Sequence, residues 1–321
     1  MKGKSVASVV LFIACLSPLA NVQAQELTLE QLIEKGLKNN YGIKANEADV
    51  MYYKKQRTGA YSIPHANVSG MYGQYNSHVK DDNNYTITQT IPFPTELIAK
   101  GNFAREEFKA SKAQKKIAEN KLIKAIQEGY YHLQYLYAQQ ELFKSMDSVY
   151  SGFVSAAELR YKTGEGTLLE ASLAKTKKAE IENEQRQNTK SIYKAKKQLQ
   201  ILLSTNQEIE VLYSGLPTAS VIEINEINSN PTLGFMQQKV KVRQKAKSLS
   251  VHSLLPDVTV GYFNQTLIGA PINDAPNPSL ATSANRFAGF QLGVSIPLWI
   301  GPEIAKVKAN AYKAYREACG R

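Results

Sequence analysis

The chain has 321 residues, of which 43% are hydrophobic, with a formal charge of +11 and two cysteines. That length and composition exclude a disordered polymer and a small disulfide-built module. The lysines are scattered along helical segments rather than clustered, which together with an export signal argues against a nucleic-acid partner.

Residues 1–24 read as that signal. Lys2 and Lys4 precede an apolar run from Val6 to Leu19, and Val22-Gln23-Ala24 has the small-x-Ala form cleaved before Gln25. The segment carries two lysines and no acid, so its removal lowers the formal charge from +11 to +9. Cleavage before Cys15, with lipidation of that cysteine, is the alternative. The other cysteine, Cys319, leaves the mature chain without an intrachain disulfide. No later stretch approaches the roughly 20 apolar residues of a membrane-spanning helix, so entry into a membrane has to be made by strands.

Thr28-Leu29-Glu30-Gln31 is a capping box and opens a helix to about Tyr61, which Ile63-Pro64 stops. Residues 65–93 then form a β-hairpin around the polar loop "HVKDDNN". In its second strand Tyr85, Ile87, Ile91 and Phe93 share one face, while Thr86, Thr88 and Thr90 share the other.

Residues 95–204 read as a long helical hairpin. Ile123, Tyr130 and Tyr137 lie seven apart, followed by a second stripe of Leu136, Phe143, Tyr150 and Ala157, the spacing of coiled-coil packing. Some 65 helical residues make a rod on the order of 100 Å long. "RYKTGEGTLLE" (160–170) reverses the chain through Gly164 and Gly166, and Thr167-Leu168-Leu169-Glu170 is a second capping box. The returning helix runs to about Leu203 with Leu169, Leu173, Ile181, Ile192 and Leu199 as its apolar stripe.

Residues 205–228 are a connector, after which the pattern restarts over 229–321: a helix from Asn230-Pro231, a Leu255-Pro256 stop, a β-hairpin over 257–299 and a helix from Gly301-Pro302. Pro64 aligns with Pro256 and Pro92 with Pro297, giving two internal repeats. The second stops at Arg321, which reads as an incomplete copy.

In the fourth strand Phe290, Leu292, Val294, Ile296 and Leu298 oppose Gly289, Gln291, Gly293 and Ser295; in the third Val258, Val260 and Tyr262 oppose Thr259 and Gly261. Strands apolar on one side and small, polar and almost uncharged on the other fit a transmembrane barrel. A soluble antiparallel sheet with one buried face stays open as the alternative. In a barrel, Thr86, Thr88, Thr90, Gln291 and Ser295 line the lumen, and Ile87, Ile91, Phe93, Leu292, Val294 and Ile296 face lipid. Four strands cannot close a barrel, so the chain has to assemble cyclically, with eight strands from two copies or twelve from three.

The order helix, Pro stop, hairpin, Ile-Pro and helical hairpin, used twice, resembles the TolC family of bacterial outer-membrane efflux proteins. "LTLEQLIEKGLKNNYGIKANEADV" (27–50) is similar to that family's opening helix, and "LRYKTGEGTLLEASLAKT" (159–176) to its helical turn. The resemblance implies a mainly α fold in which long antiparallel helical hairpins form an α-barrel and four strands per chain join a trimeric twelve-stranded transmembrane β-barrel. It implies an outer-membrane location with a periplasmic helical extension, and passive conduction of substrates expelled by an inner-membrane pump of the resistance-nodulation-division or ABC type. A periplasmic adaptor would contact the turn at Arg160, Tyr161, Gly164, Gly166, Thr167, Leu168 and Leu169. Its other partners would be two further copies of itself and outer-membrane lipid.

The four histidines, His65, His78, His132 and His252, have no metal-ligand spacing, and "TGEG" is too short to cradle a phosphate. We therefore expect no enzymatic activity and no cofactor. Two competing readings are a secreted periplasmic or surface coiled-coil scaffold and an exit duct for type I protein secretion.

Overall fold

The computed structural model describes residues 26–73, 83–215, 230–267 and 285–319. The expected export signal with Cys15, most of the first hairpin's loop, most of the connector, the loop between the third and fourth strands and the chain end at Arg321 lie outside them. The elements are β1 (Glu26–Leu27), α1 (Leu29–Asn39), α2 (Tyr41–Gly59), β2 (Asn67–Tyr72), β3 (Asn83–Ile91), α3 (Pro94–Lys162), α4 (Leu168–Leu202), β4 (Glu210–Val211), α5 (Pro231–His252), β5 (Asp257–Leu267), β6 (Asn285–Ser295) and α6 (Ile300–Ala318). The chain is mainly helical, with long helices and antiparallel strands.

Side chains that satisfy free backbone groups start most of these helices. Thr28 and Gln31 close a capping box, the Gln31 N–H donating to Thr28 Oγ1 at 3.4 Å and the Thr28 N–H to Gln31 Oε1 at 3.1 Å. The single helix expected from Thr28 to Tyr61 is two. Asn40 interrupts it, because its carboxamide oxygen accepts the Ile43 N–H at 3.2 Å and so caps a new start. At α3 the Phe93 carbonyl accepts from the N–H groups of Glu96 and Leu97 at 2.8 and 3.4 Å, and Pro94 supplies a fixed φ where no N–H is needed. Asn230 caps α5 in the same manner as Asn40 caps α2, with Pro231 as the first helical residue.

The chain divides into two compact units. The first comprises Met1–Gly36 and Ala125–Thr218. In it the second part of α3 runs antiparallel to α4: Asn188 Nδ2 donates to the Leu136 carbonyl at 3.0 Å, Gln185 Nε2 to the Phe143 carbonyl at 2.9 Å, and Lys175 pairs with Glu158 at 2.7 Å. Its core holds Leu32, Ile126, Leu133, Leu199 and Leu203, all fully buried. Beside them β1 and β4 pair in parallel, Leu27 opposite Val211. The Gln134 amide ties the following segment down, donating to the Leu212 carbonyl at 2.7 Å and accepting the Ser214 N–H at 3.0 Å.

On the α3 side Tyr130 and Leu136 of the expected stripes are buried and Ile123, Tyr137, Phe143, Tyr150 and Ala157 half-buried, and on the α4 side the expected stripe holds at Ile192 and Leu199 but not at its start. Ala171, Ala174, Ile192, Ala195 and Leu199 are buried, whereas Leu169 and Leu173 are exposed. Two helices that approach closely select small side chains at their contact, and the larger leucines are left on the open face.

The second unit comprises Leu37–Lys124 and Ala219–Arg321. Its four strands form one antiparallel sheet in the order β2-β3-β5-β6. Its helices are held by polar links: Lys115 to Glu47 at 2.7 Å between α3 and α2, Gln238 Nε2 to Glu106 Oε2 at 2.6 Å between α5 and α3, and Asn310 Nδ2 to Ser250 Oγ at 2.8 Å between α6 and α5.

Candidate functional site

Residues opposite one another in paired strands share a face, so the register sorts the sheet into two surfaces. One carries the rows Val68–Ile87–Tyr262–Phe290, Gln89–Val260–Leu292 and Ile91–Val258–Val294. It is open to the surroundings: Ile87 is 49% exposed, Leu292 76% and Phe290 86%. Tyr262 and Phe290 add an aromatic pair with ring centroids 5.5 Å apart.

The other surface carries Asn67–Thr88–Gly261–Gln291, Ser69–Thr86–Phe263–Gly289 and Thr90–Thr259–Gly293. Its polar groups bond to one another, Thr86 Oγ1 donating to Asn84 Oδ1 along β3 at 3.1 Å and the Thr90 and Thr259 hydroxyls meeting across β3 and β5 at 3.1 Å. Its glycines are seats for larger neighbours. A Cβ at Gly261 would come within 2.6 Å of the Gln291 amide, and one at Gly289 within 2.7 Å of the Phe263 ring. Phe263, which the sequence pattern did not single out, thus lies on the face of the threonines. Among the described residues, the charged side chain on this surface is Asp257, at the start of β5.

Of the residues expected to line a lumen, Thr86, Thr88 and Thr90 are half-buried, and Gln291 and Ser295 are exposed on that second surface. Of those expected to face lipid, Ile87, Ile91, Leu292 and Val294 share the first surface. Phe93 and Ile296 lie outside the strands, which end at Ile91 and Ser295. The prolines just past the strand ends, Pro92 one residue after Ile91 and Pro297 two residues after Ser295, have no N–H to donate to a ladder. Phe93 instead carries the carbonyl that starts α3.

The α3–α4 turn is built around one carbonyl. Arg160 O accepts from the N–H groups of Glu165 and Gly166 at 2.9 and 3.0 Å, and Gly164 takes φ +81°, which a side chain would oppose. A Cβ at Gly166 would lie 3.2 Å from both Arg160 Cβ and Glu170 Oε2. Thr167 and Glu170 form the expected capping box, with both bonds at 3.2 Å. The turn therefore collects Arg160, Gly164, Gly166 and Thr167 in its hydrogen bonds, the Gly164 N–H donating to the Tyr161 carbonyl at 3.2 Å, and leaves the side chains of Tyr161, Leu168 and Leu169 to solvent, the two leucines 60% and 68% exposed.

Among the described residues no three His, Cys, Asp or Glu side chains converge on one point, and no helix is long and apolar enough to cross a membrane.

Residues 32–205 match the family described as Outer membrane efflux protein. Among solved structures, VceC, an outer membrane protein from the pathogen Vibrio cholerae, is similar with a TM-score of 0.71 at 19% identity, over 91% of this chain and 74% of VceC. The outer-membrane channel OprN gives 0.73 at 15% identity, over 91% and 69%. The Campylobacter jejuni outer membrane channel CmeC gives 0.67 at 13%, over 91% and 66%. At these identities the likeness establishes the fold. Among curated proteins, no sequence matches significantly. With the family matched over more than half of its length and the fold shared along most of the rest, the chain belongs to the outer membrane efflux protein family, the TolC family of non-enzymatic channels that sit in the bacterial outer membrane with a periplasmic helical domain.

Proposed function

We propose that three copies of this chain close a twelve-stranded barrel through which substrates leave the cell, driven by a separate inner-membrane pump. The observation that carries the reading is the sheet: one surface is apolar and exposed, the other is uncharged and hydrophilic over most of its area, and among the described residues the outer edges of β2 and β6 pair with no strand. Lipid does not tolerate such edges, so another chain has to cover them. With four strands of alternating direction, β6 of one copy meets β2 of the next antiparallel, and the same joint repeats around the ring. Twelve strands leave an aqueous lumen where eight would be filled by side chains.

In this assembly Thr86, Thr88, Thr90, Gln291 and Ser295 line the passage, and Ile87, Ile91, Leu292 and Val294 contact lipid, with Phe93 and Ile296 at the rim. The segments 25–204 and 229–321 are two copies of one unit, joined by the 205–228 connector and preceded by the export signal 1–24. The α3–α4 turn meets a periplasmic adaptor through Tyr161, Leu168 and Leu169, whose exposure leaves an apolar contact for an incoming helix. Pumps of the resistance-nodulation-division and ABC types both fit this arrangement.

Outer membranes extracted in mild detergent and measured by light scattering test the assembly. A particle with the protein mass of three chains is expected. A single-chain mass, or release of the protein by high salt without detergent, would overturn it.

A further inference from the structure

Away from the sheet and the turn, and wholly within the second unit, α2, the first part of α3 and α5 enclose a cleft of about 300 Å³. Its walls carry both charges. Glu107 of α3 and Asp49 and Tyr53 of α2 line it together with Phe235, Val242 and Arg243 of α5. Glu107 also borders a second cleft of about 390 Å³, lined by Phe103 and Leu249.

These charges are not consumed by one another. Lys239, the remaining cation of the cleft, reaches Glu317 at 4.0 Å and lies over the Phe235 ring, 5.4 Å from its centroid. Among the described residues no ion pair joins Glu107 or Asp49 to Arg243. Burial pushes the Glu107 carboxyl above its ordinary pKa, and the opposing pull of Arg243 does not cancel that. The Tyr53 hydroxyl is raised likewise, first by burial and then by Glu107. A carboxylate held at this disadvantage gains from an incoming cation, and the guanidinium of the cleft gains from an incoming anion.

We propose that this cleft binds small amphoteric molecules, with an ammonium set between Glu107 and Asp49, a carboxylate on Arg243, and a flat apolar body against Phe235 and Val242. A ligand of one charge satisfies one set of groups and confronts the other: an anion meets two carboxylates, and a cation meets Arg243 and Lys239. The volume is that of the smaller ligand sites.

The test uses purified full-length protein in detergent and three dansyl probes that share a fluorophore: Nε-dansyl-lysine carries both charges, dansylcadaverine only the amine, and dansyl-6-aminohexanoate only the carboxylate. Dansyl-lysine is expected to bind at least tenfold more tightly than the other two. Glu107→Gln and Arg243→Gln should each bring it to the level of the singly charged probes, and Arg243→Lys should restore most of the affinity. On acidification, affinity should fall as Glu107 takes up its proton, at a higher pH than an unperturbed carboxyl would require, and Glu107→Gln should remove that step. Lys239, Arg243, Asp49 and Tyr53 are the charged and titratable groups facing it. Equal binding of all three probes, absence of binding, or undiminished dansyl-lysine affinity in both Gln variants overturns the proposal. The measurement needs no barrel and no pump, so its failure would leave the channel reading intact.

Discussion

Ile87 and Thr88 are consecutive in β3 and lie on opposite surfaces of the sheet: Ile87 stands beside Tyr262 and, beyond it, Phe290, whereas Thr88 stands beside Gly261 and Gln291. If the first surface meets lipid, an arginine there costs about 2–4 kcal/mol near the bilayer midplane, and far less on the lumen side. Ile87→Arg should therefore deplete assembled protein from the outer membrane, while Thr88→Arg assembles and lowers single-channel conductance by narrowing the passage. Quantitative immunoblots of membrane fractions, with planar-bilayer recording of the second variant, check this. Equal assembly of both would remove the lipid assignment.

Glycine plays two different parts along α3. A Cβ on Gly129 would come within 2.8 Å of Leu199 Cδ2, a fully buried side chain, so the hairpin core leaves no room there. Nothing lies within 4 Å of the corresponding point on Gly152. Gly129→Val should cost about 1–3 kcal/mol by overpacking, whereas Gly152→Ala should stabilise by up to about 1 kcal/mol through helix propensity. Thermal unfolding followed by circular dichroism should move the two midpoints in opposite directions.

What could be read from the sequence follows from how local each signal is. The strands declared themselves by alternation, since side chains point to opposite surfaces with period two whatever the partner strand. The turn declared itself through Gly164 and the Thr167–Glu170 box, because both act within a few residues. The break at Asn40 had the same kind of signal, an asparagine followed by Tyr41-Gly42, but the apolar periodicity on either side concealed it. Ile192 and Leu199 of α4 are buried as expected, but the start of that face was misjudged because burial there depends on how near α3 comes. Proximity rewards Ala171 and Ala174 over Leu169 and Leu173, and periodicity does not report it. Gln134 was missed for a related reason: a fully buried amide is explained only by Leu212 and Ser214, about 80 residues away in sequence. Phe263 and the charged cleft likewise exist only once separate elements are brought together.

Glu106 and Glu107 adjoin in sequence and respond oppositely to their surroundings. Burial raises the Glu106 carboxyl, but hydrogen bonds from Lys109 at 2.8 Å and Gln238 at 2.6 Å outweigh it and hold the group below its ordinary pKa. A carboxyl depressed in the folded state stabilises it above the unfolded pKa, near 4.3, and that contribution is lost as pH falls through the lower folded value. Glu107 is raised, so its ionised form opposes folding and its protonation on acidification relieves the strain. Glu106→Gln should lower stability at neutral pH by about 1–3 kcal/mol, with the deficit closing below about pH 4. Glu107→Gln should instead leave stability at neutral pH unchanged or higher, and converge with the parent protein on acidification at a higher pH. Denaturant unfolding at a series of pH values separates the two, and a deficit for Glu106→Gln that persists at the acid end would show the carboxylate is not its source.

Trp299, the chain's one tryptophan, stands in the short link between β6 and α6, is 87% exposed, and makes no capping bond to the helix it precedes. Leu298 and Ile300 beside it are exposed as well. In water such a cluster would be a liability. At a membrane boundary it is favourable, because an indole places its apolar body against acyl chains and its N–H among headgroups. The position fits that boundary, since the strand that presents Leu292 and Val294 ends four residues earlier, at Ser295. In lipid vesicles its emission should shift to shorter wavelength than in the denatured chain. Bromine placed near the headgroups should quench it more than bromine at the acyl-chain ends. Ready quenching by aqueous iodide, with none from either brominated lipid, would place Trp299 away from the bilayer and move the membrane edge off the Pro297 link.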